Sequence, residues 1–160
     1  MNTLDKSIEK ICRIILFILF FLMVISAFIQ VVLRTVFNNP LTWTEELCRY
    51  SMVWLCMIGS GLAVKYGSHI AVDILKNALS PKAIKIISGM NFLLIAAFSI
   101  VLIYFGIGLC SRNMSQITPG LKLPMGIVYG AMPVGGLIML FNTMLGFLKL
   151  IRNTEDVSCQ

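Results

Sequence analysis

The chain has 160 residues, 58% hydrophobic and 12% charged, which excludes a soluble globular domain needing charges on every outward face. Its net charge of +6 comes from cations in short flanks between long apolar runs. The charge therefore reads as a topology signal and not as a nucleic-acid-binding face.

Residues 1–13 carry mixed charge, with Leu4, Ile8, Ile11 and Ile15 at helical spacing. This segment is expected to begin on the membrane surface and run straight into span one, the 20 apolar residues from Ile14 to Leu33. A signal-peptide core has roughly 7–15 such residues, and no small-residue cleavage pattern precedes Arg34, so the span reads as a retained anchor. Gln30 is its one strongly polar group, available to a neighbouring helix. Asn38-Asn39-Pro40 is a turn signal.

Span two follows at once. Thr42 and Glu45 have the spacing of a capping box. The 22 residues from Trp43 to Val64 make about 33 Å of helix, enough to cross a hydrocarbon core. Gly59, Ala63 and Gly67 recur every fourth residue and predict a shallow groove for another backbone, from this chain or from a partner. Gly67 to Leu79 reads as a short amphipathic segment at the interface, in which His69 is expected to bond to Asp73 one turn on.

Ser80-Pro81 predicts the start of the third helix. The 26 uncharged residues from Ile86 to Ser111 exceed the roughly 20 that a span needs, so this helix is tilted or projects beyond the bilayer. Arg112 to Lys122 is a polar loop with a Thr118-Pro119-Gly120 turn. Span four, Leu123 to Leu148, holds Gly126-x-x-x-Gly130, and Pro133 predicts a kink near Met132. Lys149 to Gln160 reads as a polar, frayed tail. Nine of the cations flank the side of both termini and the His69 loop, against four on the other side (Arg34, Arg49, Arg112, Lys122). The positive-inside rule then puts both termini in the cytoplasm and Trp43, Glu45, Glu46 and Arg112 outside.

Glu45 and Glu46 precede Arg49 by four and three residues, so either can pair with it on a helix, and Arg34 is placed to join them. Three roles stand open for this outer cluster: an anchor that sets the depth of span two, a contact surface for another protein, or a proton or ion relay, which the position of these carboxylates away from membrane depth disfavours. A single histidine excludes a bis-histidine haem and cannot alone build a zinc site. The five cysteines form no C-x-x-C pair and read as small apolar residues. No catalytic, cofactor-binding or metal-binding group is expected. No acidic residue interrupts an apolar run, and no polar site lies at mid-membrane, so the chain is not expected to carry a polar solute alone.

Trp43-x-Glu45-Glu46, Arg49, Gly59 and Gly67-x-His69-x-x-Val72-Asp73, preceded by Arg34, form an ordered pattern. It continues in Leu121-x-x-Pro124-x-x-x-x-Tyr129-x-x-x-Pro133. Over nearly the whole chain this pattern resembles the small membrane subunit of tripartite ATP-independent periplasmic (TRAP) transporters. The expected fold is an all-α integral membrane protein, one unit of residues 1–160 with four transmembrane helices in an antiparallel bundle. The spans fall near residues 14–34, 43–65, 86–111 and 123–148, with the amphipathic segment between the second and third.

The resemblance implies a sodium-coupled uptake system for an organic acid in a bacterial inner membrane. A soluble periplasmic binding protein would dock transiently, and a large membrane subunit would form a heterodimer with this chain. The small subunit would brace the large one's scaffold, help dock the binding protein and do no enzymatic chemistry. Sialic acids, C4-dicarboxylates and other carboxylates all fit as substrates. The alternative is an autonomous four-span exporter acting as a homo-oligomer, but that needs an ionisable carboxylate within a span. A membrane enzyme would need a cluster of reactive groups in one plane, which the sequence lacks.

Overall fold

In lipid a backbone amide has no water to bond to, so long apolar runs must satisfy their polar groups internally as helices. The computed structural model describes the backbone of residues 3–38, 41–76 and 81–158, and the side chains of residues 7–38, 41–66, 83–84 and 86–148. Five helices follow one another: α1 Thr3–Thr35, α2 Thr42–Lys76, α3 Pro81–Arg112, the single-turn α4 Met125–Tyr129, and α5 Ala131–Ser158. Four stretches are long and apolar enough to cross a membrane: Ser7–Thr35, Thr42–Tyr66, Ile86–Arg112 and Met125–Leu148. Of the turn expected at Asn38-Asn39-Pro40, Asn38 adopts a left-handed φ of 48°, while Asn39, Pro40 and the cap expected at Ser80 lie outside the described residues.

The helices stand in a row, α1–α2–α5–α3, and do not close into a ring. Among the described residues α1 has only α2 as a backbone neighbour, and α5 lies between α2 and α3. The central pair runs parallel, because Met57 meets Gly135 and Gly61 meets Ile138. The outer pairs run antiparallel: Glu9 reaches Lys65 across α1 and α2, while Gly106 meets Pro133 and Phe92 meets Gly146 across α3 and α5.

Lipid tails are as apolar as leucine, so close packing and polar contacts, not hydrophobic expulsion, hold such helices together. A methyl group on Gly61 would sit 2.7 Å from Ile138 Cγ2, and one on Gly135 would sit 2.9 Å from both Cβ and O of Met57. At this joint the buried Asn142 Nδ2 donates to the Gly61 carbonyl at 2.8 Å. Between α2 and α5 the close approach uses Gly61; of the groove expected from Gly59, Ala63 and Gly67, the surroundings of Gly67 lie outside those described. Gly59 makes only ordinary contact with Leu16 Cδ2 at 3.8 Å, and Ala63 is exposed. Two residues along a helix is about 200° round it, so Gly59 and Gly61 serve opposite neighbours.

Polar contacts pin α1 to α2 at the end that carries the termini. Glu9 accepts from Lys65 Nζ at 2.9 Å, and also from Arg13 and the Tyr66 hydroxyl. The Arg13 guanidinium lies 5.7 Å from the centre of the Tyr66 ring. Beyond Tyr66, α2 continues without a break to Lys76. The interfacial segment expected from Gly67 is thus the last turns of the same helix; His69 and Asp73 fall one turn apart there, with side chains outside those described.

Span four is interrupted at Gly130, two residues before the kink expected near Met132. Pro133 has no N–H to give the Tyr129 carbonyl, so the ladder lapses one turn before the proline. Gly130 keeps helical angles (φ −57°, ψ −20°), which makes the interruption shallow. The segment expected to fray after Leu148 continues α5 to Ser158. It has no Gly or Pro to stop a helix.

Candidate functional site

The loop joining α3 to α4, residues 113–124, crosses the far end of the row from the termini and is held in one shape. Pro119 and Gly120 turn the chain, and Lys122 adopts a left-handed φ of 54°. Thr118 N–H donates to the Leu123 carbonyl at 2.9 Å, while Leu123 N–H donates to Thr118 Oγ1 at 3.0 Å. Met125 N–H reaches the Gln116 carbonyl at 2.8 Å, and Pro124 leads into α4 with extended angles. Gly126 lets this turn lie on α3, since a methyl group there would be 2.7 Å from the Cys110 carbonyl.

Glu46, from the second turn of α2, clasps this loop. Its Oε1 accepts from Gly120 N–H at 3.0 Å and its Oε2 from Leu121 N–H at 2.9 Å. The residue is only 9% exposed, and both acceptor atoms are engaged by backbone donors 74 and 75 residues away. Charge-assisted bonds of this kind are short and roughly twice as strong as neutral ones. Gly120 is required by proximity: a Cβ there would lie 2.8 Å from both N and Cα of Trp43. Thr44, fully buried, donates its hydroxyl to the Leu41 carbonyl at 2.7 Å and closes the start of the helix beneath the loop.

The two glutamates have separate jobs. Glu45 pairs with Arg49 at 2.6 Å on the open side of α2, with side chains 57% and 65% exposed. Glu45 therefore turns forward to Arg49 and not back to Thr42, the first residue of α2. Arg34 is exposed in the last turn of α1, and among the described residues nothing bonds it to Glu45 or Glu46. Trp43 is exposed, and beside the clasped loop Ile117, Pro119 and Lys122 are exposed as well. Pro124 caps α4, Tyr129 is half-buried in its last residue, and Pro133 packs on Gly106.

Sequence reasoning missed Gly120 and Leu121 as partners of Glu46. The Thr118-Pro119-Gly120 turn is legible, but nothing local points from it to a carboxylate on another helix. Glu9, Lys65, Gly61 and Asn142 were missed for the same reason.

Residues 9–153 match the family described as tripartite ATP-independent periplasmic transporters, DctQ component. A Haemophilus influenzae protein assigned as a TRAP transporter small permease is 32% identical over 142 residues, covering 87% of this chain and 86% of the relative. The sialic acid TRAP transporter small permease protein SiaQ of Vibrio cholerae is 24% identical over 130 residues, 81% of this chain and 75% of its own length. The sialic acid TRAP transporter permease protein SiaT of Haemophilus influenzae is 31% identical over 116 residues; these are 70% of this chain but 18% of that longer protein. The family match runs from the Glu9–Lys65 pin to beyond the fourth span, and the chain belongs to the DctQ component family, as the small permease subunit of a TRAP transporter and a multi-pass membrane protein.

Proposed function

We propose that this subunit is the rigid, non-transporting partner of a large membrane subunit, and that its clasped loop forms part of the surface on which a soluble binding protein docks. The Glu46 clasp carries this reading. An anchor needs only a charge among the headgroups, which the Glu45–Arg49 pair already supplies. Glu46 is spent instead on holding a connecting loop in one shape at the membrane edge. Such a preformed surface lowers the ordering cost of an encounter.

The position of the acidic groups supports a helper role. Within the described spans Glu9, Glu45 and Glu46 all lie within two turns of a helix end, away from the midplane where a carried ion or acid would bind. A large membrane subunit as partner is supported by the match to part of a much longer permease. The transported solute is an organic acid, a reading supported by the sialic acid named in two relatives, and its uptake is coupled to sodium. The subunit sits in the inner membrane with both termini in the cytoplasm, on the strength of the nine-to-four distribution of cations.

Reconstitution tests the helper role. Vesicles holding this chain alone, the large subunit alone, or both are given binding protein, organic acid and a sodium gradient; only the pair is expected to take up solute. Uptake by this chain alone would sink the proposal. For topology, a cysteine at Gln116 in a cysteine-free background should react with an impermeant thiol reagent in intact spheroplasts. Protection until the membrane is opened would reverse the orientation.

A further inference from the structure

The last turns of α3 carry a groove that neither the family match nor the clasp explains. It has a volume of about 600 Å³ and is lined by Tyr104, Phe105, Ile107, Gly108, Leu109 and Arg112. That falls within the roughly 300–1,000 Å³ of small-molecule sites. Gly108 is its floor. A Cβ at Gly108 would meet nothing within 4 Å, so the notch is open space; Gly106, about 200° round the helix, is the glycine pressed on Pro133. Gly108 therefore faces away from α5, on the outermost helix of the row. One turn towards the membrane centre stands Tyr104, 74% exposed, and one turn the other way stands Arg112, the last residue of α3 and of its span.

Among the described residues no carboxylate pairs with Arg112. The cation thus sits where a span meets the headgroups, above an apolar trough pointing into the membrane. An apolar helix of another subunit laid in this trough would bury the guanidinium without a counter-charge, which is costly. A phospholipid brings the counter-charge at the right depth and an acyl chain for the trough, and arginine suits phosphate through its planar fork of donors. We propose that this groove holds one phospholipid, with its phosphate on Arg112 and one acyl chain running along the Gly108 notch against the edge-to-face pair of Tyr104 and Phe105, whose ring centres lie 5.3 Å apart. The site is independent of the orientation of the chain and of the docking reading.

The test is native mass spectrometry of the full chain, alone and with its large subunit, after detergent exchange and addition of phosphatidylglycerol. One lipid should remain bound to the unmodified protein. Arg112→Gln and Gly108→Leu, one removing the cation and one filling the notch, should each cut retention at least fivefold. Arg34→Gln, which removes an exposed cation at the same end of the row, should leave it unchanged. Diacylglycerol with the same chains should not be retained, and millimolar inorganic phosphate should not displace the phospholipid. The proposal is overturned if both groove variants retain lipid like the parent, or if Arg34→Gln loses as much. It is equally overturned if the lipid is absent from the assembled pair while a cysteine at Gly108 cross-links to the large subunit.

Discussion

Replacing Gly120 by alanine probes the clasp without touching its charge. No described glycine has a positive φ, so the added methyl brings no backbone strain and its effect is purely steric. The new Cβ would lie 2.8 Å from N and Cα of Trp43 and 3.0 Å from Glu46 Cδ. Ordinary carbon contacts need about 3.5–4.0 Å, so the loop must retreat by about 0.7–1.2 Å. The Trp43 backbone belongs to the first turn of α2 and has little freedom to yield. Such a retreat carries the Gly120 N–H to Glu46 Oε1 distance from 3.0 Å to well past hydrogen-bonding range. Overpacking of this kind costs about 1–3 kcal/mol, which raises the opened population by about 5- to 150-fold. Hydrogen exchange in nanodiscs should show that loss of protection at amides 116–125, with α3 and α5 unchanged. In the assembled transporter, uptake at limiting binding protein should fall and recover when more is added. Unchanged exchange across the loop would refute the clasp as the source of its order.

Two other perturbations follow from the packing. Gly61→Ala should destabilise the α2–α5 joint by about 1–3 kcal/mol through overpacking, and Asn142→Ala by only about 0.6–1.7 kcal/mol through its lost hydrogen bond. Denaturant titration in mixed micelles ranks them, and a larger loss for Asn142→Ala would mean that the hydrogen bond and not the contact holds the pair. Glu9→Gln should loosen α1 at the end carrying the termini and leave the α5–α3 pair intact, since among the described residues α1 has only α2 as a backbone neighbour. Disulfide formation between the native Cys12 and a cysteine placed at Leu62, which line one recess beside Glu9 and Lys65, reads this; an undiminished yield would show that apolar contact suffices.

Much of this protein follows from composition and period alone. Four apolar runs of membrane length have one backbone solution in lipid, so the all-α class with four helices long enough to span was legible. Pro133 was legible as an interruption, and the structure puts the break at Gly130, two residues before the expected position, because the missing N–H is felt at the carbonyl four residues before the proline. The order of helices in the row was not legible. Lipid exerts no hydrophobic preference among apolar faces, so neighbours are chosen by shape, and the joint fell to Gly61 although Gly59 and Ala63 show the clearer spacing. Nor could spacing tell Glu45 from Glu46, since both stand within reach of Arg49 on a helix. Only the tertiary structure separated them, because it brings the backbone amides of Gly120 and Leu121 to Glu46 from across the fold, and a carboxylate goes to the donors that reach it.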